Sequence, residues 1–543
     1  MAKIIIDGQP IQCRDKITVL QAALEAGWEI PHWCYHPGLS IVASCRLCLM
    51  QMKMPDPKTK ELAWSPKLLP SCQTPVRDGL EVRFTSPEVK DNQHRCMEFF
   101  LLNHPLDCPV CDQAGECYLQ DYSEHFGDAN SRMLEPKYKN PKKDIGSKTL
   151  LYMDRCVLCS RCVRFCREIA GTSELCIVER GSRCEIDVFP GLPLENALQG
   201  NVVDLCPVGA LLDKDFLMKR RVWELTGARS VCPLCSAGCA IRIDHADGRV
   251  YRLKPRFNPG VNDWWMCDVG RFGWKYVHDA GRLNRLTVRR GHGSEPLAWS
   301  ALPQLARVRI RQIVQRDGSS KVGALFSPFM SCEEAWLLAK FIREAAPEAT
   351  LALGPVPVVG SDDAFPKPAA AGGPAVPKFT IRAEKCPNRR GVEMILAAAG
   401  GNAATFDEFV KKAEAGGISA AWIVGGYPQE WVPQELAKAI EKIRLIFAQD
   451  MFTNAVTKVA AVVIPACAWA ERSGCFVNCQ GKVQPFDAAI APPEGCQRDG
   501  NYLQAVAGYP GLYNPANVRE LMVKEVPAVG AFQVPPPEPK YAH

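Results

Sequence analysis

The hydrophobic pattern changes character along the chain. Lys3–Ile6 alternates as a strand, Asp7-Gly8 supplies a hairpin turn, and Thr18 can cap a short helix, VLQAALEAG, that stops at Gly27. From Ile30 the chain is loop, rich in Cys, Pro and Gly, until Glu81–Phe84 offers a closing strand. Ser86-Pro87-Glu88 signals a helix start, and that helix is expected to run to about Asn103, before Pro105. Ala240–Asp244 and Val250–Leu253 read as short strands. Beyond residue 286 the texture becomes α/β. Val322–Phe326 and Ala420–Val424 are unbroken apolar runs of the kind that strands buried on both faces require, and Glu333–Glu344 reads as a helix. Residues 360–378 (GSDDAFPKPAAAGGPAVPK) predict a linker or surface loop, and the tail after about Val526, ending VPPPEPKYAH, an extended arm.

A chain of 543 residues is too long for one ordinary core. Five segments are expected, α+β at first and α/β at the end: 1–85, 86–145, 146–225, 226–285 and 286–543. With 47% hydrophobic residues the composition is not that of a disordered chain. The start, MAKIIIDGQPIQC, lacks the pattern of a secretory leader, so a cytoplasmic location is expected. The most apolar stretch, Val459 to Ala470, contains Pro465 and falls short of the roughly 20 residues a membrane span needs.

Cysteine placement narrows the chemistry. Of 26 cysteines, 20 lie between Cys13 and Cys267 and many form C-x2-C pairs, which in a large chain points to metal rather than disulfides. Four sets stand out. The first is Cys34, Cys45, Cys48 and Cys72: three ligands in one loop and a distant fourth, the logic of a plant-type [2Fe–2S] site. The hairpin and helix before it fit a β-grasp ferredoxin; a zinc site or buried thiols is the alternative. The second is His104, Cys108, Cys111 and Cys117, which can hold a [4Fe–4S] cluster through three sulfurs and one nitrogen. On spacing alone, His104 could equally end a helix while a cysteine or water completes the site. The third is Cys156, Cys159, Cys162 and Cys206, followed by Pro207. It reads as a two-cluster ferredoxin pattern in which only one cluster survives, because Arg167 replaces proline after Cys166 and the second motif has decayed. The fourth is Cys232, Cys235, Cys239 and Cys267, suited to [4Fe–4S], with zinc as the alternative. The remaining cysteines (13, 96, 166, 176, 184, 332, 386, 467, 475, 479 and 496) form no ligand-like set and read as small buried residues.

The formal charge of +6 changes meaning once metal is counted. A four-thiolate cluster carries about −2 and a histidine-substituted one about −1, so a loaded chain is close to neutral and a nucleic-acid role is not indicated. The basic run Arg249–Arg256 reads as a solvated or subunit-facing surface. No G-x-G-x-x-G fingerprint marks a nicotinamide or flavin site, and Gly291-His292-Gly293 lacks the third glycine. No catalytic triad or carboxylate pair stands out.

The order of these sets closely resembles the large iron–sulfur subunit of bacterial NADH–quinone oxidoreductase (respiratory complex I). The likeness rests on NHPLDCPVCDQAGECYLQD (103–121), DRCVLCSRCVRFCREIAG (154–171) and NVVDLCPVGAL (201–211). From about 226 the chain is similar to the molybdopterin oxidoreductase family, through VCPLCSAGC (231–239), WWMCDVGRFGW (264–274) and IPACAWAERSGCFVNCQGKVQ (464–484). These resemblances imply one [2Fe–2S] and three [4Fe–4S] clusters on the four sets, the fourth off the main path. FMN and NADH would sit on a partner subunit, with quinone-side iron–sulfur subunits and a proton-translocating membrane arm as further partners. Electrons would enter at the Cys34 set, pass to the Cys156 set and then to the His104 set. The short stretch after Cys267, and LALGP (351–355) where molybdenum members often place a ligating cysteine, imply a shortened scaffold without molybdopterin. The chain would be peripheral, on the cytoplasmic face of the membrane. Alternatives are an iron-only hydrogenase, a subunit of an NAD-linked formate dehydrogenase or hydrogenase, or a zinc-stabilised scaffold.

Overall fold

The computed structural model describes residues 1–543 apart from 57, 292, 369–375, 401–402 and 531–543. The chain forms two compact units. One holds residues 1–225 with 364–379; the other holds 226–363 and continues from 380.

The first unit opens as the hydrophobic pattern predicts. Strands Ala2–Ile6 and Gln9–Cys13 pair antiparallel, Ile4 opposite Ile11, across a turn in which Asp7 and Gly8 both take positive φ. Strand Glu81–Arg83 lies parallel to the first strand and antiparallel to Leu49–Pro55. Helix Val19–Glu25 starts on a reciprocal cap between Thr18 and Gln21, and buries Val19, Leu20, Ala22 and Ala23 against this sheet. Helix Pro87–Leu101 is capped by Ser86 and stops two residues short of the expected Asn103, leaving the stretch before Pro105 non-helical. Further on, Lys142–Asp144, Thr149–Tyr152 and Leu211–Asp213 make a small antiparallel sheet with Leu151 opposite Leu211.

The second unit begins with three antiparallel strands, Thr226–Val231, Ala240–Ala246 and Arg249–Pro255. The run expected as basic surface is therefore a half-buried strand. Val250 and Leu253 point into the core, and Arg252 pairs with Asp244 at 2.7 Å. The body of the unit is a seven-stranded sheet whose order is 293–296, 287–290, 462–465, 445–450, 420–424, 322–326, 350–353. The last five strands are parallel. Gly291 and Gly293 belong to the edge hairpin and open no helix. Residues of the central strands alternate between two cores: Ala324, Phe326, Trp422 and Phe447 face one, Leu325, Ala421, Ile423 and Ile446 the other. This two-sided burial explains why those strands read as continuous apolar runs. Helix Cys332–Ala345, with Ser331 and Glu334 as its capping box, covers one face. The segment expected as linker holds a short strand, Asp363–Phe365, with Phe365 buried; residues 369–375 and most of the expected C-terminal arm lie outside the described residues. No helix among the described residues is long and apolar enough to cross a membrane.

Arg282 and Glu471 form a two-pronged ion pair with Nη–Oε distances of 2.5 and 2.8 Å, and both side chains are almost fully buried. Removing one partner strands the other charge in a dry core. Glu471→Ala is expected to destabilise the second unit by about 3–5 kcal/mol, read as a lower midpoint in denaturant titration.

Candidate iron–sulfur sites

Local structure brings each cysteine set together. In the first site, all four thiols are buried. Cys45 and Cys34 are hydrogen-bonded to one another, as are Cys72 and Cys48; these contacts lower Cys34 and Cys48 and raise Cys45 and Cys72. Two non-glycine residues of this loop, Ala43 and Arg46, take left-handed backbone angles, bending the chain so that Cys45 and Cys48 turn to one side. The backbone N–H of Trp33 donates to Cys45 Sγ at 3.5 Å.

In the third site, Cys156 and Cys206 are distant in sequence but adjacent in space, because strand Thr149–Tyr152 leads into one and strand Leu211–Asp213 leads away from the other. Cys159 follows in a loop where Leu158 and Ser160 also take left-handed angles, and Cys162 lies in the first turn of the short helix Arg161–Phe165 that this loop leads into. All four sulfur-bearing residues line one pocket, walled by Leu151, Val157, Ile186, Val208, Ala210 and Leu211, with Ser160 and Arg161 also in its lining. Burial raises all four thiols, Cys206 to about 11. Cys166 is buried and lies outside that lining.

The second site is more open. Cys108 is exposed, Cys111 buried, and Cys117 half-buried at the start of helix Tyr118–Phe126. The three thiols act electrostatically on one another, and burial raises Cys117 to about 12. His104 lies close to Arg155, whose guanidinium also reaches Cys111 Sγ at 3.5 Å. Burial, with Arg155 and Lys137 nearby, lowers the His104 imidazole to about 4, so the ring is neutral and its lone pair free for a metal at neutral pH.

In the fourth site, Cys232 closes one strand and Cys239 opens the next, joined by a 2.9 Å backbone hydrogen bond from Cys232 N to Cys239 O. Cys267 caps helix Asp268–Phe272, its sulfur accepting from Gly270 N at 3.3 Å. With Cys235, these cysteines line a pocket of about 310 Å³ that also holds Leu234, Met266, Val269 and Lys385.

The donor sets fit iron–sulfur clusters: four cysteines around a largely apolar hole in the third and fourth sites, and two hydrogen-bonded pairs of buried thiols that act electrostatically on one another in the first. Among the described residues no group of three or more His, Cys, Asp or Glu is placed to hold a metal ion. The first three sites also share one core. Trp33, Cys34, Cys45, Met97, Leu119, Tyr122, Val157, Cys159 and Val208 pack as a continuous cluster, with Cys117, Cys156 and Cys206 against it. The pattern of cysteines alone did not point to Arg155, Arg161 and Arg164, or to Lys385; the only signal was the density of arginines in 154–171. Of the cysteines outside the sets, 13, 166, 332, 386, 467 and 475 are buried as expected, whereas 96, 176, 184, 479 and 496 are partly exposed, mostly on short strands and loops without a second covering layer.

Comparison with known proteins agrees with the likeness read from 103–121, 154–171 and 201–211. Family models match in series: a 2Fe-2S iron-sulfur cluster binding domain over 1–87, the NADH-ubiquinone oxidoreductase-G iron-sulfur binding region over 93–132, and the ferredoxin-like domain of NADH-quinone oxidoreductase subunit 3 over 146–212. A molybdopterin oxidoreductase Fe4S4 domain matches 226–279 and a molybdopterin oxidoreductase model 389–509. The G subunit of the NADH-quinone oxidoreductase of Rickettsia conorii is 39% identical over 335 residues, 60% of this chain and 48% of that one. The mitochondrial NADH dehydrogenase [ubiquinone] iron-sulfur protein 1 of Solanum tuberosum is 40% identical over 308 residues, 56% of this chain and 40% of that one. A solved NAD+-reducing [NiFe]-hydrogenase in the H2-reduced state matches 41% of this chain and 91% of its own at 25% identity and a TM-score of 0.34. The chain spans about half the length of the curated relatives it matches.

Gly209 marks how tightly the second site abuts the third. A Cβ at this position would fall 2.2 Å from Cys111 Sγ. Gly209→Ala is therefore expected to displace Cys111 and lower the iron content of purified protein by up to about four atoms per chain, counted by colorimetric iron assay.

Proposed function

We propose that this chain is the electron-relaying iron–sulfur subunit of an NADH–quinone oxidoreductase. It would carry a [2Fe–2S] cluster on Cys34, Cys45, Cys48 and Cys72. Three [4Fe–4S] clusters would sit on His104 with Cys108, Cys111 and Cys117, on Cys156, Cys159, Cys162 and Cys206, and on Cys232, Cys235, Cys239 and Cys267. The observation that carries this reading is the single apolar core that joins residues of the first three sites. Such clusters, when bound, supply reversible one-electron transfer.

The chain's own residues do the rest. The third and fourth pockets are walled largely by apolar side chains, which keeps polar reorganisation around a transferred charge small. Backbone N–H groups of Trp33, Leu158 and Gly270 point at Cys45, Cys156 and Cys267 and stabilise negative charge on sulfur. Neutral His104 in place of a fourth thiolate leaves the second site one charge less negative. The N-terminal sheet and capped helix fit a β-grasp ferredoxin, followed by the segments 86–145, 146–225 and 226–285. The body from 286 is a molybdopterin-oxidoreductase-like scaffold in which LALGP (351–355) supplies no metal-ligating cysteine, so no molybdopterin is assigned to it. NADH oxidation at a flavin, quinone reduction and proton translocation are assigned to partner subunits, through which the chain attaches to the cytoplasmic face of the membrane. A subunit of an NAD-linked formate dehydrogenase or hydrogenase is the alternative, and molybdenum or nickel in the assembled complex would favour it.

Anaerobically purified protein is expected to contain about 14 iron atoms per chain, with EPR signals of one two-iron and three four-iron centres on reduction. Zinc in place of iron would refute the relay. His104→Cys is expected to lower the potential of one four-iron centre in an EPR-monitored redox titration; an unmoved set of potentials would remove His104 from the ligands.

A further inference from the structure

Arg161 and Arg164 lie on the short helix Arg161–Phe165, beside Cys162, and are 1% and 2% exposed. Neither forms an ion pair with a carboxylate among the described residues. Arg161 donates to the backbone carbonyls of Tyr35 and Leu205, and its Nε is buried without a partner. Arg164 donates to the carbonyls of Cys34, Cys159 and Ser40 and to the Ser160 hydroxyl. The carboxylate acting on Arg164 from farther away, Glu168, is held by Ser40 N and Oγ. Arg155 provides the contrast: equally buried, it has its own carboxylate, Asp107, at 2.7 Å.

Carbonyl oxygens solvate a guanidinium but do not cancel its charge. Two cations in a dry core without counter-ions are strongly unfavourable unless something negative stands beside them. Their bonds show where it must be. Cys34 and Tyr35 belong to the first site; Cys159, and Leu205 next to Cys206, belong to the third. The two arginines therefore tie the loops of both sites together and place two positive charges between them.

We propose that Arg161 and Arg164 are the shared counter-charge of the first and third iron–sulfur sites, positioning residues that raise the reduction potentials of both centres and hold the two loops in register. The inference rests on the relay reading above. Each one-electron reduction adds a negative charge beside the guanidiniums, so their removal disfavours the reduced state.

The test is an EPR-monitored redox titration of the iron-loaded full chain carrying Arg161→Gln, Arg164→Gln or Arg164→Lys. Glutamine keeps a donor for the carbonyls but loses the charge; the expected result is a reduction equilibrium at least tenfold less favourable at the first and at the third site, about 59 mV for one electron. Arg164→Lys keeps the charge but not the fork of donors, so its reduction potentials are expected to stay close to wild type while its thermal midpoint falls; potentials displaced as far as in the glutamine variant would refute the role of the charge. Full iron content with unmoved potentials in the glutamine variants would overturn the inference while leaving the relay reading intact. Iron-free wild-type protein would overturn both. Should the variants not accumulate, pulsed EPR of wild-type protein labelled with 15N-arginine decides: guanidinium nitrogen coupled to the reduced two-iron centre supports the proposal, and no such coupling refutes it.

Discussion

A thiol taken out of water resists ionisation, and a thiolate left there alone is strongly unfavourable. Most of the buried thiols of this structure lie in the four groups, and burial raises nearly every one of those. Grouping is what makes burial tolerable: several sulfurs can share one multiply charged inorganic centre. The loops, caps and strained residues around the sites follow from the need to bring sulfurs to a common point in a dry place.

The same constraint accounts for the backbone. Paired strands hold Cys156 near Cys206 and Cys232 near Cys239, so that sheet register sets sulfur spacing more rigidly than a free loop could. Left-handed residues at Ala43, Arg46, Leu158 and Ser160 supply the tight bends between successive ligands. In the first unit the walls of neighbouring sites merge, through Trp33, Tyr122, Val157 and Val208, into one apolar body. A relay needs fixed centres, and these sit in a largely apolar body in which Arg161 and Arg164 place positive charge between the first and third.

Much of this was legible in the sequence. C-x2-C spacing is a local property, and so were the Asp7-Gly8 turn, the Thr18 and Ser86 caps and the apolar runs at 322–326 and 420–424. What was not legible depends on contacts between distant segments. Arg161 and Arg164 look like surface charges until Cys34, Tyr35 and Leu205 are seen around them. The run 249–256 looked like a basic surface because its charges outnumber its apolar residues, yet a bulge at Tyr251, opposite Asp244 and His245, breaks the two-residue period and leaves both Val250 and Leu253 buried. Gly209 carries no signal of its own in the sequence; its lack of a side chain matters only because Cys111 packs on it.

The central claim, that the first and third sites adjoin one another in a common buried core, is tested most directly by magnetic coupling. In protein poised so that the two-iron centre is reduced, its electron-spin relaxation is expected to quicken once the Cys156 centre is reduced as well. Relaxation that is indifferent to the state of that second centre would show the two to be magnetically isolated, and would contradict the account.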